Sequence, residues 1–125
     1  MTLPVPQQLL NQKNREVLEY LEPLSCHGDN IEPLQAILAS YPEVESFCPD
    51  SKNYRYFLWY VDDVVFAYGV GMRNVCLKIP PTSANLAADV GVEIVQFDGE
   101  TWYSFSYDCE QLREMVKLSY DYAKL

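Results

Sequence analysis

Cys26 and His27 stand side by side, and a thiol next to the chain's single imidazole is the first pairing that could do chemistry. Nucleophilic catalysis needs the base within hydrogen-bond reach of the nucleophile and a third group to orient it, whereas side chains of adjacent residues seldom meet. The pair therefore reads as two separate side chains in a polar loop. A zinc site built from Cys26, His27, Cys48 and a carboxylate fails on spacing, since Cys26, Cys48, Cys76 and Cys109 are dispersed and no two lie close enough to form half of a metal knuckle. Neither a metal nor a cofactor is expected.

Paired carboxylates can divide acid and base roles when burial separates their pKa values. Asp62-Asp63, however, falls between two apolar runs and reads as a solvated hairpin turn. Glu43 and Glu45 read as exposed connector charges. Lys78 is different, because Val75, Leu77 and Ile79 alternate with it along one strand and place it with Cys76 on the opposite face. An amphipathic lysine packs its stem and keeps its head in water, so contact with a ligand is the second reading of this residue.

Ten tyrosines and two tryptophans are the largest departure in composition. Rings with a polar tip bury large areas at low entropic cost and favour binding surfaces. Tyr54, Tyr56, Tyr60 and Tyr68 would line one surface across the first hairpin, with Trp59 behind them. Together with Lys78, they form the expected partner or ligand surface.

The elements that must position these residues follow from hydrophobic period and turn residues. Residues 54–61, 64–70 and 75–79 are three β-branched and aromatic runs divided by short breaks, the pattern of an antiparallel meander. Both parities of residues 54–61 are large and apolar or aromatic, so both sheet faces need cover. Before the meander, Leu10, Val17, Leu18 and Leu21 share one face of a helix running from Gln7 to Glu22, which Pro23 ends. A second helix begins at an Asn30 cap, carries Pro33 in its first turn, and buries Leu34, Ile37, Leu38 and Tyr41. Residues 43–53 show no clear period and read as a connector.

After Pro80-Pro81, Thr82 or Ser83 caps a short helix ended by Gly91. Asp98-Gly99 joins two further strands through a two-residue turn. Asp108 with Gln111 then opens a last helix whose inner face is Leu112, Met115, Val116, Ser119 and Ala123. The sum is one domain over residues 1–125 of α+β class. It has an antiparallel or mixed sheet of about five strands, two amino-terminal helices, a short central helix and a carboxy-terminal helix.

With 49% hydrophobic and 22% charged residues, the chain is expected to bury one core without staples. The net charge of −9 excludes a phosphate-backbone partner, which needs clustered Lys and Arg. Residues 1–50 hold eight acidic side chains against Lys13 and Arg15, so the acid is concentrated early. The first residues lack a basic start and a continuous apolar segment, and no run is long enough to span a bilayer, which points to the cytoplasm.

Val65-Phe66-Ala67, Val75 to Pro80, Trp102-Tyr103-Ser104, Leu112 and Ser119-Tyr120 together resemble the YjbR/MmcQ group of small bacterial proteins, related to the TfoX amino-terminal domain. The resemblance spans roughly residues 54–125. It implies a compact α+β fold for which DNA binding has been proposed, without an established enzymatic activity. Where that group often carries a basic residue before the tryptophan, this chain has Glu100-Thr101. With the acidic charge, that departure leaves the fold as the property carried over.

The expected function is a non-enzymatic, cytoplasmic binding domain that engages a protein through its aromatic sheet or its acidic amino-terminal helices. Two other classes share the sequence. One is an acidic inhibitor or immunity protein that blocks a basic toxin or nuclease; the other is a small-molecule binder with a pocket between the sheet and the last helix. An aromatic sheet face would also serve self-association.

Overall fold

The computed structural model of the chain describes residues 3–24, 31–50, 56–70 and 74–125. Among the described residues, four helices, α1 (Arg15–Leu21), α2 (Ile31–Leu38), α3 (Ala84–Val90) and α4 (Leu112–Ala123), accompany six strands. The strands are β1 (Glu45–Phe47), β2 (Phe57–Val61), β3 (Val64–Val70), β4 (Asn74–Ile79), β5 (Val92–Phe97) and β6 (Glu100–Ser106). They form one antiparallel sheet in the order β1-β2-β3-β4-β6-β5. The α+β class stands.

The sixth strand is β1, inside the stretch expected to be a connector. Three residues are too few to show a period, and β1 exists through its ladder to β2, with Glu45 opposite Tyr60 and Phe47 opposite Leu58. Between β4 and β6 the chain leaves at Pro80, makes a 3-10 turn over Pro81–Ser83 and passes through α3 to the far edge. The β5–β6 hairpin then returns β6 to the side of β4.

Both faces of the sheet are covered. On one, Leu34, Ile37 and Leu38 of α2, Ala87 of α3 and Leu112, Met115 and Val116 of α4 pack on Trp59, Phe66, Leu77 and Phe105. On the other, Leu9 with Val17 and Leu21 of α1 pack on Tyr56, Leu58, Tyr60, Val65, Tyr68 and Trp102. Leu112, Met115, Val116 and Ser119 of α4 are buried at the i, i+3, i+4, i+7 spacing read from the sequence.

A β-bulge sets the register of the first hairpin. Tyr60 pairs with Val65 while Trp59 pairs with Ala67, so Phe66 is the extra residue. The bulge leaves backbone groups that side chains must satisfy. Ser119 Oγ donates to the Phe66 carbonyl at 3.1 Å, and the Val65 N–H donates to Asn14 Oδ1 at 2.9 Å.

Three local expectations are corrected. The first helix does not run unbroken from Gln7: a 3-10 turn covers Gln7–Leu9 and α1 begins at Arg15. Leu9 is buried and Leu10 is 65% exposed, because the chain bends between them to bring Asn14 under the sheet. Asp108 does not cap α4; Gln111 holds that position, and Asp108 accepts a hydrogen bond from Ser106 Oγ at 2.5 Å. Ser83 sits at the start of α3 without a capping bond from its side chain. The Asn30 cap lies outside the described residues.

Candidate functional site

The tyrosines expected on the surface are in the core. Tyr56, Tyr60 and Tyr68 share one sheet face, with Trp59 on the other, as alternation requires. They are nevertheless 3%, 6% and 0% exposed, because α1 and the segment before it close over them. Tyr54 and the Cys26-His27 pair lie outside the described residues.

Burial dominates the chemistry of this face. It raises the Tyr68 phenol far above its ordinary range, with Cys76 and Tyr20 adding to the effect, and it pushes the Cys76 thiol up to about 11. A thiol held protonated in this way is a packing group and a poor nucleophile. Burial also raises Tyr60, helped by the carboxylate of Glu45 opposite it. Among the described residues, no three His, Cys, Asp or Glu side chains gather as a metal site.

The acidic residues weighed from sequence have structural roles. Asp62 and Asp63 have φ of 50° and 64° and make the left-handed turn of the β2–β3 hairpin. The Asp63 carbonyl accepts from Asn11 Nδ2 at 3.1 Å and from Asn14 Nδ2 at 2.8 Å. Glu43 pairs with Lys124.

What the amino-terminal layer presents outward is an apolar groove. Leu3, Val5, Leu10, Leu18 and Tyr56 line a depression of about 410 Å³, and the charged residues around it are Glu19 and Glu22. One wall is held by the Leu3 N–H donating to the Pro49 carbonyl at 2.7 Å. Leu3 is 55% exposed. Next to the groove, Leu10 and Leu18 form a second apolar shelf, bordered by the exposed Arg15–Glu19 pair at 3.7 Å. Periodicity placed Leu10 and Leu18 on the inner face of one helix, and the break between the 3-10 turn and α1 leaves Leu10 outside instead. The signal in the sequence was Leu10 standing beside Leu9, since only one of two adjacent leucines can face the sheet.

Lys78 is 5% exposed, and its Nζ sits 5.7 Å from the centre of the Trp102 ring directly across the ladder. It lines a cavity of about 230 Å³ at the end of the sheet, between Lys13, the β5–β6 turn and the last residues of α4. Burial lowers its pKa, while Glu100 and Asp98 pull the other way. Both carboxylates are already engaged. Asp98 accepts the Glu16 N–H at 3.0 and 3.1 Å, capping α1 from outside, and the Glu16 carboxylate accepts the Asp98 N–H at 2.6 Å. Glu100 accepts from the Tyr122 hydroxyl at 2.5 Å, a bond that raises the phenol to about 12.

No protein-family model, curated protein or solved structure matches this chain.

Proposed function

We propose that this chain is a protein-binding domain, cytoplasmic in setting, that docks a basic amphipathic segment of its partner in the groove over Leu3, Leu10 and Leu18. The observation that carries this reading is the coincidence of exposed leucines with a rim charged by Glu19 and Glu22, within residues 1–50, which hold eight acidic side chains against two basic ones. An apolar floor rimmed by Glu22 and by Glu19, which shares its charge with the exposed Arg15, suits a segment that carries leucine-like side chains on one face and lysine or arginine on the other. Binding through the aromatic sheet face is set aside, since its rings are covered. A basic toxin or nuclease would meet the same chemistry here. Kinship with the YjbR/MmcQ group is proposed on the short motifs alone; the α+β architecture is compatible with it.

The test is fluorescence anisotropy with two labelled model helices, one built of leucine and lysine and the other of leucine and glutamate. Saturable binding of the lysine peptide, weakened by added salt and absent for the glutamate peptide, is the expected result. Leu10→Asn should reduce its affinity about tenfold, as loss of one buried leucine contact implies. Leu86→Asn, a half-exposed leucine on α3 behind the opposite sheet face, should leave it unchanged. Equal binding of both peptides, or indifference to Leu10→Asn, sinks the reading.

A further inference from the structure

Lys78 has a problem that its own neighbours do not solve. An ammonium removed from water is costly unless it is paired and hydrogen-bonded. Lys78 makes no hydrogen bond and no ion pair with the described residues, and the Trp102 ring at 5.7 Å is a weak substitute. Lys13, the second cation at the cavity, is likewise without an ion pair among the described residues. In a chain of net charge −9, two lysines without an ion pair among the described residues thus line one cavity.

The acidic residues on the same wall are engaged elsewhere. Asp98 holds the first turn of α1, and Glu100 holds Tyr122. Each keeps lone pairs free, because a carboxylate accepts up to about four hydrogen bonds. The cavity thus offers ammonium donors on one side and carboxylate acceptors on the other. Its volume of about 230 Å³ is several times the ~30 Å³ that one water claims in the liquid, which gives room for a small organic ion.

We propose that this cavity binds a small molecule with one carboxylate or phosphate head, seated between Lys78 and Lys13, and an adjoining hydrogen-bond donor that Glu100 and Asp98 accept. An amino acid is the simplest molecule with both features. The two carboxylates exclude polyanions such as nucleoside triphosphates, whose extra charges would meet Glu100 and Asp98 at close range. Lys78 gives the head a desolvated, strongly interacting charge, while Trp102 keeps the lysine stem in place. The cavity shares no lining residue with the leucine groove, and Lys13 is its one member from the amino-terminal layer.

The experiment is a two-dimensional NMR titration of the intact chain with acetate, inorganic phosphate, glycine and methylammonium. Such small ligands should bind at about millimolar concentration. The expected result is saturable shifts at Lys78, Glu100 and Tyr122 with an anion, tighter binding of glycine than of acetate by severalfold, and no saturation with methylammonium. Lys78→Met, which keeps the packing stem, should weaken the anion at least tenfold. Lys13→Gln should weaken it severalfold, and Lys117→Gln, whose lysine pairs with Asp121 on α4, should have no effect. If Lys78→Met does not fold, the shift map of the unaltered chain and Lys13→Gln decide the matter. Absence of saturable anion binding, its persistence in Lys78→Met, or its indifference to Lys13→Gln overturns the proposal. Glycine binding no tighter than acetate overturns its donor half.

Discussion

Asn14 is fully buried and satisfies three backbone groups at once: its amide donates to the Leu9 and Asp63 carbonyls, and its side-chain oxygen accepts the Val65 N–H. It joins the amino-terminal layer to the bulged hairpin. Substituting Asn14→Ala strands the Val65 N–H beneath that layer, and chemical denaturation should show a loss of about 3 kcal/mol, more than a typical exposed polar change. Sequence reading passed over this residue because an asparagine inside an apparently helical stretch looks like a surface position. Lys78 shows the opposite case. Its strand and its face were legible from alternation, whereas the lack of a direct ion pair among the described residues needed the positions of Glu100, Asp98 and Lys13, which come from other parts of the chain.

Among the elements, the β5–β6 hairpin is the best specified locally. Asp98 and Gly99 have φ of 56° and 82°, the left-handed pair that a two-residue turn requires. The helices were legible by their apolar spacing but less so by their ends. The capping of α1 falls to Asp98, 82 residues away, because the Asn14 side chain is committed to the sheet. Gly91, which ends α3, is needed for space: a Cβ there would stand 2.6 Å from the Phe105 ring and 2.8 Å from the Ser104 carbonyl. Its φ of −136° is ordinary, so the demand is purely one of close approach. Gly91→Ala should therefore lower stability by about 1–3 kcal/mol in a denaturation curve, with the α3–β6 contact yielding. By contrast, Gly99→Ala would meet no neighbour within 4 Å and would be strained only through its backbone.

At the scale of the whole molecule, one sheet separates two apolar layers. Trp59 lies in the layer under α2 and α4, and Trp102 in the layer under α1, each 1% exposed. Since both layers share the strands between them, they should unfold together. Single-tryptophan variants made by Trp59→Phe and Trp102→Phe report on the two layers separately, and their fluorescence transitions in urea should coincide within error. An earlier transition for the tryptophan at position 102 would mean that the amino-terminal layer detaches on its own. No helix among the described residues is long and apolar enough to cross a membrane.

By itself, the amino-acid sequence determined the α+β class, the meander, the Asp98-Gly99 hairpin and the inner face of α4, because period and turn chemistry act over a few residues. Tertiary structure decided which aromatic rings meet solvent, and it decided against Tyr56, Tyr60 and Tyr68 by laying α1 across them. It also decided that Leu3 and Leu10 stay uncovered and that Lys78 faces a cavity with no direct ion pair among the described residues. The physical reason is that alternation assigns a side chain to a face, whereas exposure depends on what other segments, distant in the chain, are packed onto that face.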